Sequence, residues 1–518
     1  MSDSPGGYHA GMQGPPDAEA RRRTLSSGVV GSDCDAEPIH VPGGIQPHGY
    51  LVALNDALRI VQASDNLAAL TGERVEALLD QPLAALFGAE GAHCVADVAK
   101  GVEVDDSPLY VGAIDCGPGA KSARFDVTIH RHDGSLIVEM EGAAATGDAF
   151  AAMYPLTRTF ARGLQEAATV QALAEFAVRE ARAIAHFGRV MLYSFNDEGR
   201  SHVLAEDRRD ENCASFLHQF FPATDIPRQA RALYLRNRIR LVADVNYKPA
   251  RLVPPLNPLT GRPTDLTYAT LRSFSPVHLK YMRNMNTHAS MSLSIVVRGK
   301  LWGFISCHDH DARIVPFNTR VAVEHLGHML SLQIEAKEEC AEGEYLAALR
   351  RTMGRLITAM GEHDNIVAGL RSVPNDVLSF ARSAGAAIVL NDQITLMGPT
   401  PDEDTVRELT HWLAENTTGV WSTDSLAREW PPAKAHIDRA CGVLAVPVSQ
   451  IFRNYLLWFR PELMQTIKWA GEPVKVINAE GATRRARTFR RGWKPCVGIQ
   501  RCGVRARSKL PVNCAARC

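Results

Sequence analysis

Cys34 is the residue most open to covalent chemistry. It lies in a polar stretch just ahead of the first apolar segment, where an exposed thiol can reach the thiolate state and act as a nucleophile. The other cysteines give no such cue. Cys94, Cys116, Cys213, Cys307, Cys340 and Cys441 are scattered and suit small buried hydrophobes, while Cys496, Cys502, Cys514 and Cys518 crowd the C-terminal stretch. With no C-x-x-C pair, a structural zinc is not expected. His308-Asp309-His310 sets two imidazoles on one face of a strand, but no third ligand is evident, so no metal is assigned.

Positioning such residues takes several domains. A chain of 518 residues is too long for one core, and about 150 residues per domain gives three or four. Residues 1–33 are polar, rich in Gly and Pro, and read as a disordered leader without the apolar stretch of a secretory signal. No run of ~18 uncharged apolar residues marks a membrane span, so a cytoplasmic location is expected. The formal net charge of zero hides an asymmetry. Gly481–Cys518 holds nine Arg, two Lys and no acid, which leaves an excess of 11 acidic charges on the rest. An acidic body argues against non-specific nucleic-acid binding.

The element patterns predict an α+β protein. Residues 34–148 alternate strand patterns such as GYLVALND and SLIVEMEG with amphipathic pieces such as NLAALTGERVEALLDQPLAALFG, which suggests an antiparallel sheet with short helices. Residues 150–330 form a second unit. A helical pattern, TVQALAEFAVREARAIAHF, precedes the strand RVMLYSFN, and two adjacent strands turn at Arg298-Gly299. Between them the polar, Pro-rich stretch Asn246–Pro263 is expected to cover a ligand. Val321–Arg371 reads as one long helical spine, suited to a linker that also makes a homodimer. A third α+β unit, with strands AAIVLN and GVLAVPV, completes residues 331–480.

Three stretches carry a resemblance. They are EPIHVPGGIQPHGYLVAL (Glu37–Leu54) just after Cys34, FFPATDIPRQARALYLRNRIRL (Phe220–Leu241), and LRSFSPVHLKYMRNMNTHASMSLSIVV (Leu271–Val297) followed by WGFISCHDH. Together and in this order they resemble the PAS and GAF domains of bacteriophytochromes. YLLWFRPELMQTIKWAGEPVKV in turn resembles the first arm of the PHY-domain tongue. The resemblance implies PAS, GAF and PHY domains, each an antiparallel sheet with helices, joined by the helical spine. It also implies a red/far-red photoreceptor whose chromophore is biliverdin, a linear tetrapyrrole.

For single residues the resemblance implies the following roles. Arg240 and Arg272 hold the two propionates, to which a planar guanidinium fork is matched. Ser275, Ser290, Ser292 and Tyr234 add neutral hydrogen bonds. The main-chain carbonyl of Asp225 accepts from the inner pyrrole N–H groups, and its carboxylate faces a tongue arginine. His278 acts through a bridging water and titrates near neutrality. His308 bonds the carbonyl of the rotating ring, whose walls are Tyr193, Phe221 and Tyr281. Plant-type members attach the bilin to a Cys immediately before the motif His. Here that position is Val277, so attachment falls to Cys34, whose thiolate adds to the ring A vinyl group.

The resemblance breaks down in the tail. After GEPVKV the family expects a Pro-Arg-x-Ser-Phe motif, a return arm and a helix into an output domain, whereas residues 481–518 are basic and Cys-rich. A shifted reading frame is the expectation, because permissible codons read out of step yield the missing motif. The output domain is then absent. Kinase activity is not expected, since no phosphoacceptor His or Gly- and Asn-rich nucleotide motif is present. The competing readings are a GAF sensor of another small molecule and the sensory part of a histidine kinase.

Overall fold

The structure is a computed structural model. It describes residues 37–101, 108–116, 123–143 and 149–463 apart from 198, 212 and 450–453, with short pieces at 470, 476–477, 483–484 and 501–502. Cys34, the leader and most of the tail lie outside the described residues. The fold is α+β, built on antiparallel sheets. It divides into two compact units: Met1–Gly142 with Thr224–Asn237 and Tyr247–Pro276, and Ala143–Ala223 with Arg238–Asn246 and Val277–Cys518.

The first unit opens with β1 (Gly44–Ile45), β2 (Gly49–Leu54), β3 (Ile60–Ser64), α1 (Leu67–Thr71) and α2 (Ala84–Gly101). Helix α2 is two segments meeting at Gly88, whose φ of 69° breaks the helix. Strands β4 (Leu109–Cys116), β5 (Ala123–His132) and β6 (Ser135–Gly142) follow. The chain then enters the second unit through α3 (Ala149–Glu166), α4 (Val170–Ala185), β7 (Arg189–Phe195), β8 (Ser201–Arg208) and β9 (Phe220–Phe221). It alternates between units with α5 (Arg228–Arg236), β10 (Ile239–Val242) and β11 (Ala250–Val253).

The Pro-rich stretch was expected to cover a ligand in the second unit, but it packs in the first. The first sheet runs β1-β11-β3-β2-β6-β5-β4, so β11 closes the edge of β3. Its ARLV sequence alternates, with Ala250 and Leu252 buried. Residues 40–46 are bonded on two sides. One side is β1 on β11; on the other, Leu266 N–H donates to His40 O (2.8 Å) and Gln46 N–H to Leu271 O (2.8 Å). Glu139 ties the same loop down by accepting from the N–H groups of Leu271 (2.7 Å) and Thr270 (3.1 Å).

The second unit is a six-stranded sheet ordered β10-β12-β13-β7-β8-β9, completed after α6 (Pro276–Asn284) by β12 (Ala289–Val297) and β13 (Lys300–Asp309). Arg298 (φ 51°) and Gly299 (φ 70°) form the β12–β13 turn, both left-handed as a two-residue hairpin of primed type requires. Helix α4 starts where Thr169 accepts from Ala172 N–H. It buries Leu173, Ala174, Ala177, Val178 and Ala181 on one face and stops at His186, which is left-handed. Helix α7 (Phe317–Gly361) has 45 residues, about 68 Å at 1.5 Å per residue. Its buried residues fall at its two ends, Arg320–Ile334 and Leu356–Ala359. The spine expected to reach Arg371 ends ten residues earlier, because the run Gly361–Asn365 offers no apolar residue to bury. Asn365 instead caps α8 (Ile366–Ser372), accepting from Ala368 N–H. Beyond it a five-stranded antiparallel sheet spans Gly385–Arg460.

His132 and Asp265 clasp the loop to β5 at 3.2 Å, each about a quarter exposed. The bond from Asp265 raises the His132 pKa. Burial pushes the Asp265 carboxyl up, but hydrogen bonds from His132 and Thr267 outweigh that and hold it below the usual range. Protonated His132 therefore stabilises the fold below about pH 6.5, and this is lost as pH rises through the raised value. Ionised Asp265 stabilises it above about pH 3.9, and this is lost as pH falls through the depressed value. Asp265→Asn is expected to cost roughly 1 kcal/mol at pH 5.5 and less at pH 8.5. Urea midpoints of both proteins at the two pH values check this.

Candidate functional site

Strand alternation decides what the second sheet offers on each side. Directly opposed residues share a face, and the register gathers the polar ones. Arg240 on β10 opposes Ser292 on β12, and Ser292 opposes Ser306 on β13. In the next row Ser290 opposes His308, and His308 opposes Arg189 on β7. On the other side of the Ser292–Ser306 row, Tyr193 opposes Phe304. Residues between these positions, Leu241, Met291, Leu293, Ile305 and Cys307, point the other way into the core against α4 and α7. Gly327 makes that packing close, since a Cβ there would meet Leu293 Cδ2 at 2.3 Å.

The polar face is desolvated, although Ser290, Ser292 and His308 keep part of their surface. Arg240 is 3% exposed. His278 on α6 is half-buried, and burial with the nearby charge of Arg240 pushes its pKa down to about 4. The expectation of a His278 titrating near neutrality does not hold for the protein alone. Tyr281 follows His278 on α6, their rings 6.3 Å apart and stacked, and burial raises its phenol pKa. His308 is engaged at both nitrogens, with Ser306 Oγ 3.0 Å from Nε2 and Arg189 Nη2 3.1 Å from Nδ1. Burial first, then the charge of Arg189, holds His308 well below the ordinary imidazole range.

Aromatic side chains border this face. Tyr193 lies 6.3 Å from Phe221, 5.7 Å from Phe304 and 6.0 Å from Phe195 between ring centroids. Phe221 is buried in a cluster with Met191, Val203, Phe216 and Ala470. Ala470, in the arm after the third sheet, donates its N–H to Phe220 O at 3.0 Å. The arm therefore bonds to the strand that carries Phe221.

The remaining expected residues belong to the first unit. Asp225 ends a 3-10 turn at Ala223–Asp225, and Tyr234 is on α5. Arg272 is 5% exposed and donates from Nη1 to the carbonyls of Thr267 (3.2 Å) and Leu266 (3.4 Å), an anchoring role the sequence did not suggest. Ser275 donates to Glu37 Oε2 at 2.8 Å, three residues after Cys34. Arg189, Ser306 and Glu37 were missed from sequence. A period of two from Tyr193 and from His308 marks the first two.

The donor set fits an extended conjugated ligand bearing carboxylates, N–H groups and carbonyls. It offers buried guanidinium, neutral hydroxyls, neutral imidazoles and aromatic faces. Fold and site thus define a modular α+β protein whose second sheet gathers these donors on one face. Family models match in sequence as PAS fold (34–143), GAF domain (169–337) and Phytochrome region (349–493). The last extends over the first residues of the basic tail. The chain is 36% identical to cyanobacterial phytochrome B of Nostoc, covering 86% of this chain and 59% of that relative. It is 34% identical to a bacteriophytochrome of Xanthomonas campestris, covering 85% and 70%. The crystal structure of a bacteriophytochrome from the photosynthetic bacterium R. palustris matches with a TM-score of 0.78 at 36% identity, covering 88% of this chain and 91% of that one. The Stigmatella aurantiaca phytochrome photosensory core module matches with a TM-score of 0.75 at 35% identity, covering the same shares. The chain belongs to the phytochrome family, whose members bind a linear tetrapyrrole. It spans less than two thirds of the length of the Nostoc relatives A and B, 57% and 59%. No helix among the described residues is long and apolar enough to cross a membrane.

The face assignment is open to a direct test with neighbouring residues. Leu293→Ala should cost about 2–5 kcal/mol, because it empties the contact under Gly327. Ser292→Ala, on the other face, should cost less than about 1 kcal/mol. Denaturant unfolding of both variants would refute the assignment if the order reversed.

Proposed function

We propose that this chain is the light-sensing part of a red/far-red photoreceptor that binds biliverdin covalently through Cys34. The observation that carries the proposal is the aligned row of Arg240, Ser292 and Ser306 beside Ser290, His308 and Arg189 on one desolvated face. Arg240 is suited to a propionate, to which it supplies charge and a planar fork of donors. A carboxylate beside it would offset the charge that depresses His278 and raise that imidazole's pKa. The Arg272 role at the second propionate, the Asp225 carbonyl at the pyrrole N–H groups, and the hydroxyls of Tyr234 and Ser275 belong to the same proposal.

The chemistry supplied by bound biliverdin is light-driven rotation about the double bond between its last two rings. On this reading His308 Nε2–H donates to the terminal ring carbonyl, and Tyr193, Tyr281 and Phe221 bound the space in which that ring turns. A change there reaches the arm through the Phe220–Ala470 hydrogen bond. Attachment at Cys34 is supported by the Ser275–Glu37 bond, which fixes the chain three residues downstream of the thiol, and by Val277 occupying the alternative position. We assign these modules a sensory, non-enzymatic role in the cytoplasm. We also assign them a homodimer through α7, where Leu332 is 67% exposed. Leu332→Arg should shift the sedimentation of that dimer to monomer, and an unchanged profile would count against α7.

The main test mixes purified protein with biliverdin. A far-red absorption band that changes under red light is expected, with pigment that stays on the polypeptide after denaturation. Cys34→Ser should keep the band and release the pigment on denaturation. No bound pigment would overturn the function and favour a different GAF ligand, and pigment still attached in the variant would overturn Cys34.

A further inference from the structure

Arg189 is given no role toward the ligand in the proposed function, yet it makes the closest charged contact to His308. It is 4% exposed, and three features hold its guanidinium in place. Nη1 donates to Ala214 O at 2.6 Å, Cζ lies over the Phe216 ring 4.4 Å from its centroid, and Nη2 meets His308 Nδ1 at 3.1 Å. Arg189 and His308 are register partners on adjacent strands, so backbone pairing sets their separation. Arginine carries donors alone and stays protonated in proteins. A guanidinium N–H pointed at Nδ1 therefore requires a lone pair there, and the imidazole proton must sit on Nε2. Ser306 Oγ, 3.0 Å from Nε2, is placed to accept it.

We propose that Arg189 is a positioning residue that locks His308 as a neutral imidazole protonated at Nε2, a hydrogen-bond donor of one fixed sense across the physiological pH range. This rests on the proposed function only in identifying the eventual acceptor, the carbonyl of the terminal bilin ring; the lock itself is a property of the chain. The charged and titratable groups facing His308 favour the neutral form. Burial comes first, and Arg189 on β7, His278 on α6 and His310 just after β13 each oppose a second positive charge. Arg208, paired with Arg189 across β7–β8, adds charge further off, and Glu206 beside it offsets part of that. Glu206 accepts from Ser215 Oγ (2.5 Å) and Phe216 N–H (3.0 Å), whereas Arg189 directs Nη2 to His308. The consequence for a receptor is a ring contact insensitive to proton concentration, so that light alone changes it.

The first measurement needs no chromophore. Nitrogen-15 NMR of histidine-labelled protein, with His308 assigned by its loss in His308→Gln, should show the Nε2–H tautomer with no titration between pH 5 and 8. Observation of the Nδ1–H tautomer, or of titration in that range, overturns the proposal whatever the protein binds. Arg189→Met should move the ring's titration up toward its ordinary pKa of about 6.5, stopping short because burial still disfavours the charged form. Arg189→Lys, which restores a cationic donor, should suppress that titration. In biliverdin-loaded protein, Arg189→Met should add a pH-dependent spectral change with the same midpoint, absent from the unmodified chain. If the NMR result holds and no pigment binds, the lock stands and the function falls. If pigment binds and His308 titrates freely in the unmodified chain, the reverse holds.

Discussion

The second unit depends on the register of β12 and β13. Side chains alternate strictly along a strand, so a slip of one residue would exchange Ser290 and Ser292 with Met291 and Leu293. The core would then hold hydroxyls without partners, and the site would present methionine and leucine. Several features pin the register. The left-handed Arg298-Gly299 turn permits one closure of the hairpin, and the irregularity at Ile295/Val296 absorbs an extra residue near the turn, away from the site. At Gly303 a Cβ would collide with Tyr193 O at 2.2 Å, so β7 and β13 fit at that approach only with glycine. The polar face is thus as constrained as the core behind it.

Much of this was legible in the sequence because it rests on local periodicity. The β12–β13 hairpin, its turn at Arg298-Gly299 and the apolar face of α4 all follow from alternation or from three- and four-residue spacing. The family motifs named residues on the polar face, Arg240, Ser290, Ser292, His278 and His308, without geometry. Arg189 was passed over because an isolated arginine at a strand start looks like any other, and its meaning comes from the His308 it opposes 119 residues later. The placement of β11 was illegible for the same reason. Its four residues alternate in burial, but nothing local says that their neighbours are β1 and β3.

That long-range placement explains why the chain needs Asn246–Pro263 at all. A crossover that merely covered a ligand would tolerate much variation in its contacts. Here β11 pairs on both sides. Asn257 donates to Ser135 Oγ at 2.8 Å, and Glu139, 1% exposed, caps the N–H groups of Thr270 and Leu271. A buried carboxylate receiving two backbone donors is a strong arrangement, and breaking it would strand a charge in the interior. These buried polar bonds act beside an apolar cluster in which Ala250, Leu252, Leu266, Ala269 and Leu271 pack on Ile45, Leu51 and Ile137. The loop's anchoring is also what brings Ser275 to Glu37, and with it the chain segment that leads back to Cys34.

The same two strands that carry the site also grip α7, and magnitudes decide what the grip is made of. Arg298 at the hairpin tip reaches Glu339 at 3.4 Å, Glu342 at 3.9 Å and Glu335 at 4.0 Å, which looks like the main clasp. Its side chain is 43% exposed, however, and exposed pairs contribute about 0–1 kcal/mol each. Val323, Leu326, Leu330 and Ile334 are fully buried against the back of the sheet, at about 1.5–3 kcal/mol apiece. Packing therefore outweighs the ion pairs several-fold. Leu293, seated on Gly327, makes part of that contact, and its neighbour Ser292 lies on the polar face. A displacement of β12 by the site must be met by α7 or paid in lost packing, whereas the Arg298 fan can re-form with another glutamate at little cost. The ion pairs can shift with the helix; the packed leucines make it follow.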